Sequence, residues 1–293
     1  MTSFSAADRR DFTFTSSDGL SLFARDWAPR DSTLTPLLCL PGLTRNSRDF
    51  EPLAASLTGA RRIIALDYRG RGRSQYAADW TTYNPRHELA DAIALLDYLQ
   101  IPRVCVIGTS RGGIIAMLMG LLHGPRLAGA VLNDIGPELE ATGLLRIARQ
   151  IARPLEFRSW PEAVSGLKAL NPGLDNLGQE EWELFARRVF KTEGERIVGD
   201  YDPNIMRTFP TAEDILQNRV PQLWEVFAEL KDRPCAVLRG EHSDLLSMAT
   251  TTRMAAAHPG LLVVTVKGRG HVPFLDEPEC IAAVKTIAAA CDP

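Results

Sequence analysis

One stretch in the middle of the chain constrains the fold more than any other, because it joins two apolar runs through a very short turn. The first run, Val-Cys-Val-Ile at residues 104–107, follows soon after Pro102. An unbroken, β-branched run of this kind is typical of a parallel strand that is buried on both faces. The second run, residues 114–119, is apolar on every side, as expected of a helix packed against a sheet. The stretch therefore predicts a central strand, a tight turn and a buried helix.

The turn reads Gly108-Thr109-Ser110-Arg111-Gly112. It is too short to relax, so we expect Ser110 in an unfavourable backbone conformation, which the two glycines permit because they carry no side chain to clash. The serine hydroxyl then lies at the start of a helix, where free N–H groups favour negative charge. A glycine-rich turn with a serine cap has the same pattern, but the flanking strand and helix favour a nucleophile elbow.

Strand and helix patterns alternate along most of the chain, which is typical of a mostly parallel sheet with helices on both faces. We count eight strands. Between residues 138 and 210 the alternation stops, and we find amphipathic helices there with no convincing strand. The sequence therefore predicts an α/β core formed by residues 1–137 and 211–293. It also predicts a helical cap, or lid, inserted as residues 138–210.

Composition and charge disfavour several classes of partner. The 33 basic and 36 acidic residues give a net charge of −3, too weak a field to attract nucleic acid or an acidic membrane. The five cysteines form no Cys-x-x-Cys pair and three fall in predicted strands, which favours reduced core residues over disulfides or metal ligands. No apolar run is long enough to span a membrane, and residues 1–10 lack the apolar core of a signal peptide. We therefore expect a cytoplasmic protein.

Residues that follow the predicted strands form a chemically consistent set, because ligands bind at the carboxyl ends of the strands in an open parallel sheet. Ser110, Asp244 and His271 follow three different strands in that order. A serine hydroxyl needs a neighbouring base, and the base needs an acid to orient it, so we expect Ser110 as nucleophile, His271 as base and Asp244 as acid. Asp134 also ends a strand and is the alternative acid, and His242 is the alternative base.

A serine nucleophile also requires hydrogen-bond donors for the oxyanion that develops on the substrate. The N–H of Arg111 is one candidate, since this residue comes directly after Ser110. The N–H of Leu43 is the other, because Leu43 lies in a glycine-containing loop after another predicted strand.

With these motifs the chain resembles the α/β-hydrolase fold family, of the serine esterase, lactonase and carbon–carbon hydrolase type with a helical cap. The resemblance extends from about residue 11 to residue 290. Pro41 stands where the family usually has histidine, and Arg111 stands where bulky apolar or small residues are common. The matching pieces are Pro41-Gly42-Leu43, Asp-Tyr-Arg-Gly-Arg-Gly-Arg-Ser at 67–74, the turn at Ser110, Asn-Asp-Ile-Gly-Pro at 133–137, residues 240–244, and Gly270-His271.

The resemblance implies a serine hydrolase that cleaves a small carboxylic ester or lactone through an acyl-enzyme intermediate, with no metal and no cofactor. The substrate is expected between core and cap, and the sequence assigns no contact to it. Two alternatives stay open: hydrolysis of a carbon–carbon bond in a vinylogous diketone, and a ligand receptor that keeps the triad. Arg146, Arg149 and Arg153 lie about one helical turn apart. They are most simply a solvated face, with contact to an anionic substrate as the alternative.

Overall fold

The computed structural model describes residues 9–27, 32–57, 61–171, 174 and 177–293. Residues 1–8 of the predicted core lie outside this described part. Its strands are β1 (Arg9–Thr15), β2 (Ser21–Trp27), β3 (Leu37–Leu40), β4 (Ile63–Asp67), β5 (Val104–Thr109), β6 (Leu127–Asn133), β7 (Glu156–Phe157), β8 (Phe190–Glu193), β9 (Arg196–Gly199), β10 (Cys235–Gly240) and β11 (Leu261–Val266). Its helices are α1 (Glu51–Ser56), α2 (Pro85–Tyr98), α3 (Arg111–Leu122), α4 (Ala141–Ile151), α5 (Trp160–Leu170), α6 (Gln179–Val189), α7 (Ala212–Leu216), α8 (Trp224–Ala228), α9 (Met248–Ala257) and α10 (Pro278–Ala290).

Eight of these strands form one twisted sheet in the order β1-β2-β4-β3-β5-β6-β10-β11. The six strands from β4 to β11 in this order pair in parallel, and β2 joins β1 and β4 in antiparallel fashion. The predicted eight-stranded, mostly parallel sheet is therefore confirmed. A parallel sheet of this kind is stable only when helices cover both of its faces.

Two apolar layers cover the sheet. On one face Val106 and Leu132 pack in the cluster that contains Ile115 of the buried helix α3. On the other face Ile107 and Val131 pack with side chains of α10. Every residue of β5 and β6 is buried, which explains why these strands appear in the sequence as continuous apolar runs.

The register of the central strands brings their carboxyl ends to one edge. Asn133 of β6 stands beside Thr109 of β5 on one side and beside Leu238 of β10 on the other. The residues that follow, Ser110 and Asp134, therefore emerge at the same place. The site can be assembled at this edge without long loops.

The segment between β6 and α7 corresponds to the predicted cap, and it contains strands as well as helices. Its helices are α4, α5 and α6, and β7, β9 and β8 form a three-stranded antiparallel sheet. The expectation that this segment contains no strand is therefore wrong. Strands of two to four residues are too short to show the alternation that identifies a strand in sequence. The boundaries at 138 and 210 stay a proposal.

The cap has an apolar core of its own. Leu167 of α5, Trp182 of α6 and Ile197 of β9 are buried together, and the rings of Phe157 and Phe190 meet edge to face with centroids 5.3 Å apart. This segment therefore has a packed apolar cluster that is separate from the two layers on the main sheet.

The five cysteines are all buried and unpaired, which agrees with the expectation that they are reduced core residues. Within the described ranges, no helix combines the length and apolar character needed to cross a bilayer. The same part of the chain holds no group of three or more histidine, cysteine or acidic side chains arranged to bind a metal ion.

Candidate active site

Ser110 occupies a strained turn between β5 and α3. Its backbone has φ +49° and ψ −109°, a region that residues other than glycine rarely adopt. The turn is held by the Ser110 N–H, which donates to the Asn133 carbonyl at 3.0 Å, and by the Gly113 N–H, which donates to the Ser110 carbonyl at 2.9 Å. Neighbouring main-chain contacts thus keep Ser110 in this conformation at the edge of the sheet.

The glycines on either side of Ser110 are required by close packing. A side chain at Gly112 would overlap the carbonyl of Leu40, and one at Gly108 would overlap the main chain of Gly112. The helix can therefore start directly against the strands only with glycine at both positions, as the sequence pattern predicts.

His271 lies beside Ser110, on the loop that follows β11. Its Nε2 atom is 3.1 Å from Ser110 Oγ. The loop is tied to the sheet by Asn133, whose side-chain amide donates to the Pro273 carbonyl at 3.0 Å. The side chain of His271 is only 9% exposed. The alternative base, His242, is exposed and lies 3.7 Å from Glu241.

The acid beside His271 is Asp134, not Asp244. His271 Nδ1 is 2.7 Å from Asp134 Oδ2. The Asp134 carboxylate is fully buried and accepts two further hydrogen bonds, from the Gly240 N–H at 2.8 Å and from the Ser243 hydroxyl at 2.6 Å. The expectation that Asp244 orients His271 is therefore wrong in this structure, and the alternative position at the end of β6 takes its place.

Asp244 is instead held by the cap. Its two carboxylate oxygens accept hydrogen bonds from Nε and Nη2 of Arg146, on α4, at 2.6 and 2.7 Å. Burial by itself would raise the pKa of Asp244, but Arg146, helped by His271, lowers it below the ordinary value. Arg149 and Arg153 are exposed, as expected of a solvated face, whereas Arg146 is not part of that face.

Comparison with known proteins shows the family to which this chain belongs. Residues 37–284 match the model of the alpha/beta hydrolase family. The chain belongs to this family. A 3-hydroxybutyrate-oligomer hydrolase from Cupriavidus necator is 33% identical over 253 residues, which cover 84% of this chain and 85% of the relative. A crystal structure of an alpha/beta hydrolase from Novosphingobium aromaticivorans superimposes with a TM-score of 0.87 at 40% identity, covering 97% of this chain and 99% of that one.

A more distant relative also extends over most of the chain. A 2-(acetamidomethylene)succinate hydrolase from Mesorhizobium japonicum is 24% identical over 238 residues, which cover 80% of this chain and 81% of that one. The family and these relatives identify the protein as a hydrolase.

The predicted oxyanion loop, which contains Pro41, Gly42 and Leu43, begins directly after β3. A side chain at Gly42 would come within 4.0 Å of Ser110 Cβ, so the loop lies against the nucleophile turn. In the described part of the chain, neither the Leu43 N–H nor the Arg111 N–H donates a hydrogen bond. Both donors are thus available to a substrate oxygen. Pro41 is buried in this loop, and the structure gives no account of why it replaces histidine.

The side chain of Arg111 turns away from the site and joins a buried charge cluster. Arg111 Nε lies 2.8 Å from Glu88 Oε2, and Arg71 Nη2 lies 2.7 Å from Glu88 Oε1. Arg71 also donates through Nε to the Leu43 carbonyl at 2.8 Å. Glu88 and Arg71 are fully buried. Burial alone would raise the pKa of Glu88, but Arg111 and Arg71 together lower it.

This cluster links the two chain segments that carry the candidate oxyanion donors. Glu88 holds Arg111 directly and holds Leu43 through Arg71. Sequence reasoning identified Arg111 as unusual but missed its partner, because Glu88 lies on α2 and only the fold brings the two together.

A cavity of about 190 Å³ lies between the oxyanion loop, Ser110, His271 and the cap. On the same measure one water molecule needs about 10–15 Å³, so the space admits a small organic substrate. Three arginines, Arg45, Arg146 and Arg188, also line it. Most of its wall is apolar and comes from the cap, including Ile147, Ile151, Leu155, Leu167, Leu170 and Phe185.

Proposed function

We propose that this hydrolase is a serine esterase that cleaves a small carboxylic ester or lactone through an acyl-enzyme intermediate. The observation that carries the proposal is the chain of contacts from Asp134 through His271 to Ser110, at 2.7 and 3.1 Å, with Ser110 and His271 lining a cavity. These are the roles and distances that an activated serine requires.

The reaction begins when Ser110 Oγ attacks the substrate carbonyl while His271 Nε2 accepts its proton. Asp134 keeps the other imidazole proton on Nδ1 and stabilises the imidazolium that forms. The N–H groups of Leu43 and Arg111 donate to the oxyanion. His271 then protonates the leaving alcohol, and a water activated by the same imidazole releases the acid from Ser110.

The relative from Cupriavidus necator supports an ester as substrate. Its name describes hydrolysis of 3-hydroxybutyrate oligomers, in which hydroxyl and carboxyl groups are joined as esters. At 33% identity over most of both chains, it makes short esters of hydroxy acids the first substrates to test. The small, largely apolar cavity agrees with this size.

The test is labelling with a fluorophosphonate, alongside turnover of p-nitrophenyl esters of increasing acyl length. We expect the native protein to be labelled and Ser110→Ala to be unlabelled and inactive. Ser165→Ala is a matched control, because Ser165 lies on an exposed face of α5 and bonds only the Pro161 carbonyl. Absence of labelling in correctly folded native protein would contradict the proposal and favour the receptor hypothesis.

A further inference from the structure

The three arginines that line the cavity differ in how their charges are balanced. Arg45 donates through Nε to Asp49 at 2.8 Å, and Arg146 is paired with Asp244. The side chain of Arg188 makes no hydrogen bond and no ion pair with any described residue. Two of the three cations are thus neutralised inside the protein, and one is not.

The main chain of Arg188 is held in place, although its guanidinium has no hydrogen-bond or ion-pair partner among the residues that the structure describes. It lies in the last turn of α6, where a positive charge is favourable. Its carbonyl accepts a hydrogen bond from the Asn46 side chain at 3.1 Å, which fastens this end of the helix to the segment after the oxyanion loop. The main chain of Arg188 is therefore fixed relative to the loop that approaches Ser110.

The surroundings of Arg188 favour one negative charge on a ligand. A half-buried guanidinium has five N–H donors to satisfy and loses hydration among apolar side chains. The charge of Arg188 acts on the carboxyl group of Asp276, but the two side chains make no hydrogen bond or ion pair. Burial, with Glu277, raises the pKa of Asp276 above its ordinary value, although Arg269 and Arg188 oppose this rise. Because the other two arginines are paired, the described part of the cavity wall has one positive charge without a paired carboxylate, which matches a carboxylate on the ligand better than a phosphate dianion.

Resting on the proposed serine esterase function, we propose that Arg188 binds a free carboxylate on the substrate, so that the enzyme selects esters of short hydroxy acids with an anionic end over neutral esters. A guanidinium binds a carboxylate through two parallel N–H···O bonds, which gives direction as well as affinity. The carboxylate takes no part in the covalent steps. It fixes which carbonyl of the substrate stands at Ser110.

The experiment compares two substrates that differ only at this group: the linear dimer of 3-hydroxybutyrate and the same dimer with a terminal carboxamide. Product release is followed by liquid chromatography. We expect the native enzyme to have a kcat/KM at least tenfold higher for the acid. Arg188→Gln should lower kcat/KM for the acid by about 10- to 100-fold, mainly through KM, and change the amide by less than about threefold.

The matched control is Arg187→Gln. Arg187 is the preceding residue, but it is exposed and stacks on Trp160 outside the cavity, at 3.9 Å from the ring centroid. Both substrates should react as with the native enzyme. Arg188→Lys keeps the positive charge but loses the planar guanidinium that binds a carboxylate through two hydrogen bonds. Its preference for the acid should therefore lie between those of the native enzyme and Arg188→Gln.

A binding measurement separates this proposal from the esterase proposal itself. Thermal shifts with Ser110→Ala should show stabilisation by the acid and much less by the amide, and adding Arg188→Gln should remove the difference. Equal binding of acid and amide, or equal loss of both activities in Arg188→Gln, would overturn the assignment of Arg188. If the fluorophosphonate labels Ser110 but the enzyme does not prefer the acid, the assignment of Arg188 is overturned and the esterase proposal stands. An unlabelled Ser110 with selective binding would overturn only the esterase.

Discussion

Two carboxylates follow neighbouring strands of the same sheet, yet they lie in opposite environments. Asp134, after β6, is fully buried on the core side and is surrounded by a main-chain N–H, a hydroxyl and the imidazole of His271. Asp244, after β10, is 29% exposed and is bound by the guanidinium of Arg146 on the cap side. The residue type and the sheet edge are the same, but the burial and the hydrogen-bond donors differ.

The donors determine what each carboxylate is able to do. The two neutral donors at Asp134 leave its negative charge available to stabilise an imidazolium. The guanidinium at Asp244 already balances that charge, so Asp244 contributes less to His271 and instead fastens α4 of the cap over the site. We therefore propose that the core side provides the groups for chemistry and that Arg188, on the cap side, provides selectivity.

The largest expected effect comes from exchanging each acid for its amide. Asp134→Asn should lower kcat by about 10³- to 10⁴-fold for every ester that is turned over, because the imidazole loses its orientation and its counter-charge. Asp244→Asn should lower kcat by less than about tenfold. Steady-state kinetics on one p-nitrophenyl ester, with circular dichroism as a check of folding, measures both. A larger loss in Asp244→Asn would reverse the assignment of the acid.

Asp134 and Asp244 also show how much of the site can be predicted from the sequence alone. The pattern around Ser110 is local, because the apolar strand, the two glycines and the apolar helix all lie within about fifteen residues. Both aspartates follow strands, so the sequence pattern does not separate them. What separates them is set by the folded chain: Ser243 turns its hydroxyl to Asp134, and Arg146 reaches Asp244 from the cap.

The fold shows a similar division. The central strands of the main sheet are predicted correctly because continuous apolar runs identify strands that are buried on both faces. The cap sheet is missed because β7, β8 and β9 are short and mostly part-exposed. The partner of Arg111 is missed because Glu88 lies on another helix.

The second largest effect concerns a buried carboxylate on the core side that does not contact His271. It tests how much the free energy of unfolding falls when such a carboxylate is replaced. Glu88 is as buried as Asp134 but contacts two arginines and no histidine. Glu88→Gln leaves both guanidiniums without a counter-charge, so the free energy of unfolding should fall by about 3–5 kcal/mol. Urea denaturation measures this. The control is Asp97→Asn, which breaks the exposed pair with Arg126 and should cost less than about 1 kcal/mol.

Activity adds a second measure for Glu88. Since the cluster holds both segments that carry the candidate oxyanion donors, Glu88→Gln should also lower kcat, with little change in labelling stoichiometry once the protein is folded. A variant that is destabilised but keeps its full kcat at a temperature where it is folded would show that the cluster acts on stability alone.

The smallest effect concerns the pH dependence of the pair between core and cap. Arg146 holds the pKa of Asp244 below its ordinary value in the folded protein, against the effect of burial. The stability that Asp244 gains from this pair is therefore complete above the unfolded pKa, near 3.9, and is lost as the pH falls through the lower folded pKa. Because the pair is partly exposed, we expect a contribution of about 1 kcal/mol or less.

The measurement is urea denaturation of the native protein and of Asp244→Asn at pH 6, 4 and 3. The difference between their free energies of unfolding should become smaller as the pH falls. A difference that is constant across this range would mean that Arg146 stabilises the cap through packing of its side chain rather than through the charge on Asp244.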